Sequence, residues 1–220
     1  MTESAEQDLH DAMGGMAMEP GSDHPTPQPP TERAGTRVLV ATASRHGGTA
    51  AIAAEIAKTL RIALFADLPG SIVDLRSVDQ VSTVAGYDAV VLGSAVYMGR
   101  WMPAAREFAD RQAGALATIP VWLFSSGPIG DPPKPEQDAA DVDWITTATG
   151  ARGHHTFAGQ LDPQRLGFAE RAVAWAVHAP EGDYRDWPAI RQWAGQIGAA
   201  LRAHRAAGRP RHEPAAPSAG

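Results

Sequence analysis

The sequence predicts an α/β protein: a three-layer α/β/α sandwich around a five-stranded parallel sheet. Three observations carry that prediction. Short apolar runs alternate along one continuous stretch with segments of helical period. The first pair, Arg37–Arg61 (RVLVATASRHGGTAAIAAEIAKTLR), passes from a strand run through a Gly-bearing turn into a helix. The length of 220 residues suits one domain of this class plus tails.

In chain order, Val38–Val40 is the first strand, and Ile52, Ile56 and Leu60 recur every four residues on the helix after it. Ser71–Leu75, after the Pro69-Gly70 turn, is the second strand, and Asp79–Val84 a brief helix. Ala89–Gly93 is a fully apolar third strand. Pro103–Leu116 is a helix with Ala105, Phe108 and Leu116 inward and Arg106, Glu107 and Asp110 outward. Val121–Phe124 is the fourth strand. A Pro-rich loop then leads to a helix from Asp138 to Thr149, ended by Gly150. Thr156–Gly159 lies in a weaker fifth strand, His154–Leu161 (HHTFAGQL), and Gly167–His178 is a helix. The last helix, Asp186–His204, has Asp186 as N-cap, Pro188 in its first turn, and Ile190, Ala194, Ile197 and Leu201 as its inner stripe. Trp122, Trp144, Trp175 and Trp193 fall on these elements and read as packing residues.

Residues 1–35, rich in Pro, Gly and acids, read as a disordered tail; 36–206 as the domain; 207–220 as a second tail. The net charge of −6 resides in the first tail, where residues 1–34 carry seven acids against Arg33. The remaining chain is balanced, which gives no footprint for nucleic acid. The absence of Cys excludes disulfides, thiolate metal sites and a Cys nucleophile. No apolar run approaches the ~20 residues of a membrane span, and MTESAEQDLH does not resemble a signal peptide. A cytoplasmic protein is the expectation.

In a parallel sheet of this class, ligands bind outside the C-terminal strand ends. The turn after the first strand, Thr42–Thr49, has no Lys for a P-loop and no G-x-G-x-x-G. The acids of a phospho-receiver domain and the G-x-S-x-G of an α/β-hydrolase are also missing. What it offers is hydroxyls and free backbone N–H groups at a helix N-terminus, a phosphate site.

These residues resemble the flavodoxin family, whose first loop is Thr/Ser-rich and closes on a Thr entering the helix. Arg45 and His46 depart from its commonest form. Tyr87–Gly99 (YDAVVLGSAVYMG) is similar to that family's third strand and flavin loop, and Ser125-Ser126-Gly127-Pro128 occupies the place of its second flavin loop. Three further features resemble the menaquinone-dependent protoporphyrinogen oxidase type: Ser44–Thr49, Phe157-Ala158-Gly159, and Gly182–Trp187 (GDYRDW).

The resemblance implies a flavodoxin-like fold of strand order 2-1-3-4-5 and FMN as cofactor. It implies a phosphate held by Ser44, Arg45, His46, Gly47, Gly48 and Thr49. The flavin ring would lie between a loop of Ser94, Ala95, Val96, Tyr97, Met98 and Gly99 and one of Ser125, Ser126, Gly127 and Pro128. Tyr97 is the candidate to stack on the ring; the second loop has no aromatic, so one ring face is open to substrate. Trp101 has two readings, substrate face or core. No catalytic acid or base stands out. His154-His155 reads as a strand pair on opposite faces, with no metal.

The implied activity is FMN-dependent transfer of electrons from a small-molecule donor, protoporphyrinogen IX, to a quinone acceptor such as menaquinone, in heme biosynthesis. A homodimer and a peripheral contact with the inner face of the membrane are compatible with the resemblance. The alternatives are an electron-transfer flavodoxin serving protein partners and a cofactor-less binding module.

Overall fold

Strand β1 (Arg37–Ala43) runs through the middle of the molecule, because Val38, Leu39 and Val40 are apolar on both faces and only a doubly covered strand accommodates that. In the computed structural model, residues 35–127, 138–162, 164, 167 and 181–208 are described. Strand β2 (Ile72–Ser77) pairs with one edge of β1, and β3 (Ala89–Tyr97) with the other. Strands β5 (Val121–Ser126) and β6 (His154–Phe157) follow, and all four pairings are parallel. The order β2-β1-β3-β5-β6 is the predicted order of five parallel strands. It reverses direction between β1 and β3, which opens a crevice at their C-terminal ends.

Two short antiparallel pairings depart from the expected all-parallel plan. Strand β4 (Arg100–Trp101) folds back antiparallel on β3, with Val96 opposite Trp101. Strands β7 (Gln160–Leu161) and β8 (Gly182–Asp183) form a separate antiparallel ribbon.

Helices cover both faces. On one face, helices α1 (Gly48–Phe65) and α4 (Trp187–Gly208) bury Ile52, Ile56, Leu60, Ile190, Ala194, Ile197 and Leu201 against Val38, Val40, Val91 and Phe124. On the other, α2 (Pro103–Leu116) and α3 (Val142–Thr149) bury Ala105, Phe108, Leu116 and Ile145 against Leu39, Val90, Leu92 and Leu123. The Asp186 carboxylate accepts the Ala189 N–H at 3.0 Å, the predicted N-cap of α4. Gly93 is fixed by packing: a Cβ there would lie 2.0 Å from the Phe124 ring.

Some expectations are corrected. The helix expected over Asp79–Val84 is a single 3₁₀ turn, Val78–Gln80, closed by a capping box between Ser77 and Gln80. Its one closing bond, from the Val81 N–H to the Val78 carbonyl at 3.3 Å, is too little to propagate a helix. It continues as extended chain, and Val78, Val81 and Val84 still face the core. The fifth strand begins at His154 as expected but ends at Phe157 rather than running on to Leu161: Ala158 and Gly159 leave the sheet, with Gly159 against Gly127, and Gln160–Leu161 pair elsewhere. Helix α3 starts at Val142, since the Asp141 carboxylate is engaged elsewhere. Trp144 is exposed: Val142, Ile145 and Thr149 take the inner stripe of α3. Trp122 is buried, and Trp193 packs against the α1/α4 core. The last helix runs on to Gly208, four residues beyond the expected His204, so Ala207 and Gly208 belong to it and not to the second tail. Residues 1–34 and 209–220 of the two tails, the Pro-rich loop after Gly127 with Pro128, and the helix expected at 167–178 (with Trp175) apart from Gly167 lie outside the described residues.

Candidate functional site: the crevice at the C-terminal strand ends

The first wall is the turn from β1 into α1. Gly47 is left-handed (φ 83°) and caps α1 without a side-chain hydrogen bond, a conformation that suits glycine. The first N–H groups of a helix have no intrahelical acceptor and carry the positive end of its dipole. Thr49 is buried at this end. Ser44 Oγ and Thr42 Oγ1 are buried and have no hydrogen-bond partner among the described residues. They line a cavity of about 190 Å³ with Ala50, Leu75, Arg76, Ser77 and Gln80. Buried hydroxyls are rarely left unpaired, so both are available to a polar group placed in this cavity.

The second wall is the hairpin from β3 to β4. Met98 (φ 50°) and Gly99 (φ 72°) make its left-handed tip, with Met98 99% exposed. Asp141 holds it from below: its Oδ1 accepts from Arg100 Nη2 at 2.7 Å and its Oδ2 from the Trp101 N–H at 3.0 Å. The Ala140 N–H donates to the Gly99 carbonyl at 2.9 Å, and the Met102 N–H to Ser94 Oγ at 3.0 Å. Tyr97 stays 38% exposed. Its ring lies 5.8 Å from the Arg45 guanidinium and 6.4 Å from the His46 ring, so the two walls meet at this residue.

The third wall follows β5. Gly127 lies against the hairpin, where a Cβ would come within 3.0 Å of Val96 Cβ. Beneath it runs a buried polar chain. The Trp101 indole N–H donates to Ser125 Oγ at 2.8 Å, and Ser125 Oγ lies 2.9 Å from His154 Nε2. The Asp138 carboxylate on the Nδ1 side assigns the imidazole proton to Nδ1, so Nε2 accepts the serine O–H. Nδ1 faces Asp138 Oδ2 at 3.6 Å, and Asp138 accepts the Thr156 hydroxyl. Burial lowers the His154 pKa, against an opposing pull from Asp138. The imidazole is therefore neutral and an acceptor at pH 7.

The predicted residues thus come together from three sequence regions. Ser44–Thr49, Val96–Gly99 and Gly127 border the crevice, whereas the side chains of Ser94 and Ser125 are buried and bonded inside the walls, with Ala95 and Ser126 also buried. Trp101 is a core residue, 1% exposed, which resolves its two readings. His154 and His155 do point to opposite faces. His155 packs on Phe157, with ring centroids 4.4 Å apart, and on Trp193 at 5.9 Å; burial lowers its pKa too. Sequence reasoning missed Asp141, the Ser125–His154 bond, and the contact of Arg185 with Gly48. All three link residues at least 29 positions apart, which no local periodicity reports.

No helix among the described residues is long and apolar enough to cross a membrane. No curated protein matches this sequence. Among solved structures, rubredoxin oxygen:oxidoreductase from Desulfovibrio gigas superposes with a TM-score of 0.54 at 15% identity, covering 80% of this chain and 38% of that one. This chain thus spans well under half of that oxidoreductase. A flavodoxin from the domain Archaea gives a TM-score of 0.49 at 12% identity, covering 77% of this chain and 98% of that one. Flavodoxin 1 from Bacillus cereus gives 0.48 at 13% identity, with 77% and 99% covered. The model of the flavodoxin domain matches residues 39–187, from β1 to the first residue of α4 and so across all three walls. The chain belongs to the flavodoxin-domain family.

Proposed function

We propose that this protein is an FMN-dependent oxidoreductase that passes electrons from a reduced small-molecule donor to a quinone. The observation that carries this reading is the pair of buried, unpartnered hydroxyls of Thr42 and Ser44 beside the N-terminus of α1, which line a cavity with Ala50, Leu75, Arg76, Ser77 and Gln80. The cofactor is FMN. The Ser44 hydroxyl and the amides of residues 45–49 would hold its phosphate, with Arg45 supplying positive charge. The hairpin from Ser94 to Gly99 and the stretch Ser125–Gly127 would border its ring. Bound FMN supplies one- and two-electron redox chemistry, while the protein binds, orients and tunes it.

The residues of the walls favour an enzyme over a carrier. Tyr97 is the aromatic exposed at the crevice, and the third wall offers Ser125, Ser126 and Gly127 with no aromatic among its described residues. A flavin held there would keep one face accessible to a planar substrate or quinone. By family resemblance that donor is protoporphyrinogen IX and the acceptor menaquinone. The test is anaerobic mixing of the FMN-loaded protein with protoporphyrinogen IX and a soluble menaquinone analogue. Porphyrin fluorescence that requires both protein and quinone is expected. Absence of porphyrin, with ready one-electron exchange with a redox protein, would overturn the enzyme reading in favour of a carrier.

A further inference from the structure

The segment Gly182–Trp187 lies outside the three walls, yet two of its bonds end on their scaffold. The Tyr184 N–H donates to the Gly159 carbonyl at 3.0 Å, and Gly159 packs beneath Gly127 of the third wall. Arg185 reaches the first wall. Its side chain is only 9% exposed. It forks onto Asp183, with Nε to Oδ1 and Nη2 to Oδ2 both at 2.7 Å, and its guanidinium lies 4.5 Å from the centre of the Trp187 ring. The nitrogen left over, Nη1, is 3.4 Å from the carbonyl oxygen of Gly48, 137 positions earlier in the chain. Beside it, Gln160 of β7 is the side chain nearest to where a Gly48 Cβ would stand, at 3.9 Å.

This arrangement is informative because of what it attaches to. Gly47 and Gly48 are consecutive, and glycine restricts its own backbone least of all residues. A turn that binds an anion through N–H groups depends on those peptides being held still. The Arg185 charge is balanced by Asp183 and its fork is fixed by that carboxylate, so its free donor is aimed at the Gly48 peptide as a fixed point of support.

We propose that Arg185, aimed by Asp183, is a positioning residue for the phosphate-binding turn, pinning the Gly48 peptide from the side opposite the ligand. The inference rests on the flavin reading above. It is separate from direct charge attraction between Arg185 and the phosphate, and one substitution distinguishes the two. Asp183→Asn removes a negative charge near the turn but also loosens the fork that aims Arg185. Positioning predicts weaker FMN binding, whereas direct attraction predicts tighter binding.

The test titrates the full-length apoprotein with FMN and with riboflavin, which lacks the phosphate, following flavin fluorescence. Arg185→Ala and Asp183→Asn are both expected to weaken FMN binding about five- to tenfold, the worth of one lost hydrogen bond, with riboflavin affinity unchanged. Equal loss for both flavins, no loss for either, or tighter FMN binding by Asp183→Asn would overturn the proposal. Asp183→Asn keeps the test decisive if Arg185→Ala does not fold. Wild-type protein that binds neither flavin would overturn the flavin reading itself, an outcome distinct from the others.

Discussion

Ser44 illustrates how one atom separates binding from folding. Its hydroxyl oxygen is buried without a partner, so it contributes nothing by hydrogen bonding to the protein alone. Removing an unsatisfied buried group is neutral or stabilising, whereas losing a hydrogen bond to a charged ligand costs about 1.5–3 kcal/mol. Ser44→Ala should therefore leave thermal stability unchanged or slightly raised while weakening FMN at least tenfold. A fall in apoprotein melting temperature without loss of FMN affinity would contradict this. His154 works in the opposite way, because it is fully engaged. It is faced by Ser125 from β5 and by Asp138 and Asp143 around the start of α3, while His155, on the opposite face of the strand, acts on it only through space. Burial holds its folded pKa below the unfolded value, so below about pH 6.5 the unfolded chain binds more protons than the native one. The stability it contributes is complete above that pH and is lost as pH falls towards the folded pKa. His155, shifted the same way, adds to the slope. His154→Gln, which keeps an acceptor for the Ser125 hydroxyl, should flatten the acid arm of a stability-against-pH curve; an unchanged slope would remove His154 from this account.

Elements are held in place by a few contacts between distant segments. The β3–β4 hairpin carries two consecutive left-handed residues, Met98 and Gly99, and its geometry is set by Asp141 at the start of α3. Asp141→Ala would leave the buried Trp101 N–H unpaired, at a cost of about 1–3 kcal/mol. Hydrogen exchange should then quicken in residues 97–102 while β1 and β5 stay protected. Equal loosening of the central strands would mean that Asp141 supports the whole sheet rather than the hairpin. Inside the sheet, Gly93 and Phe124 are neighbours across β3 and β5, and the ring fills the space a side chain at Gly93 would need. Gly93→Ala should destabilise by about 1–3 kcal/mol or more through overpacking. Combining it with Phe124→Leu should restore part of that loss in denaturant unfolding, since the two sites share one volume. Additive losses would show that the strain is relieved elsewhere.

At the scale of the molecule, the strands and helices were legible because each element carries its own period, whereas the order of the five strands came from the family resemblance. Val38–Val40 and Ala89–Leu92 are apolar on successive residues, as strands covered on both faces must be. Pro103–Leu116 and the stripe Ile190, Ala194, Ile197 and Leu201 repeat at helical spacing and pack as that spacing requires. The turn Ser44–Thr49 was legible from its hydroxyls and glycines. The supports were not: Asp141 under the hairpin, His154 under Ser125 and Arg185 against Gly48 depend on tertiary contact alone. Tyr97, Trp101 and Trp144 are all aromatics near one loop or helix, and only packing decides that the first borders the crevice, the second is buried and the third faces solvent. The central claim is that the three walls form an FMN site, with a phosphate satisfying the first. Its most direct test is calorimetric titration of the full-length apoprotein with FMN, repeated with the Ser44→Ala variant. FMN should bind at one saturable site, with the visible absorption of bound flavin, and more weakly in the variant. A wild-type protein that takes up no FMN would contradict it.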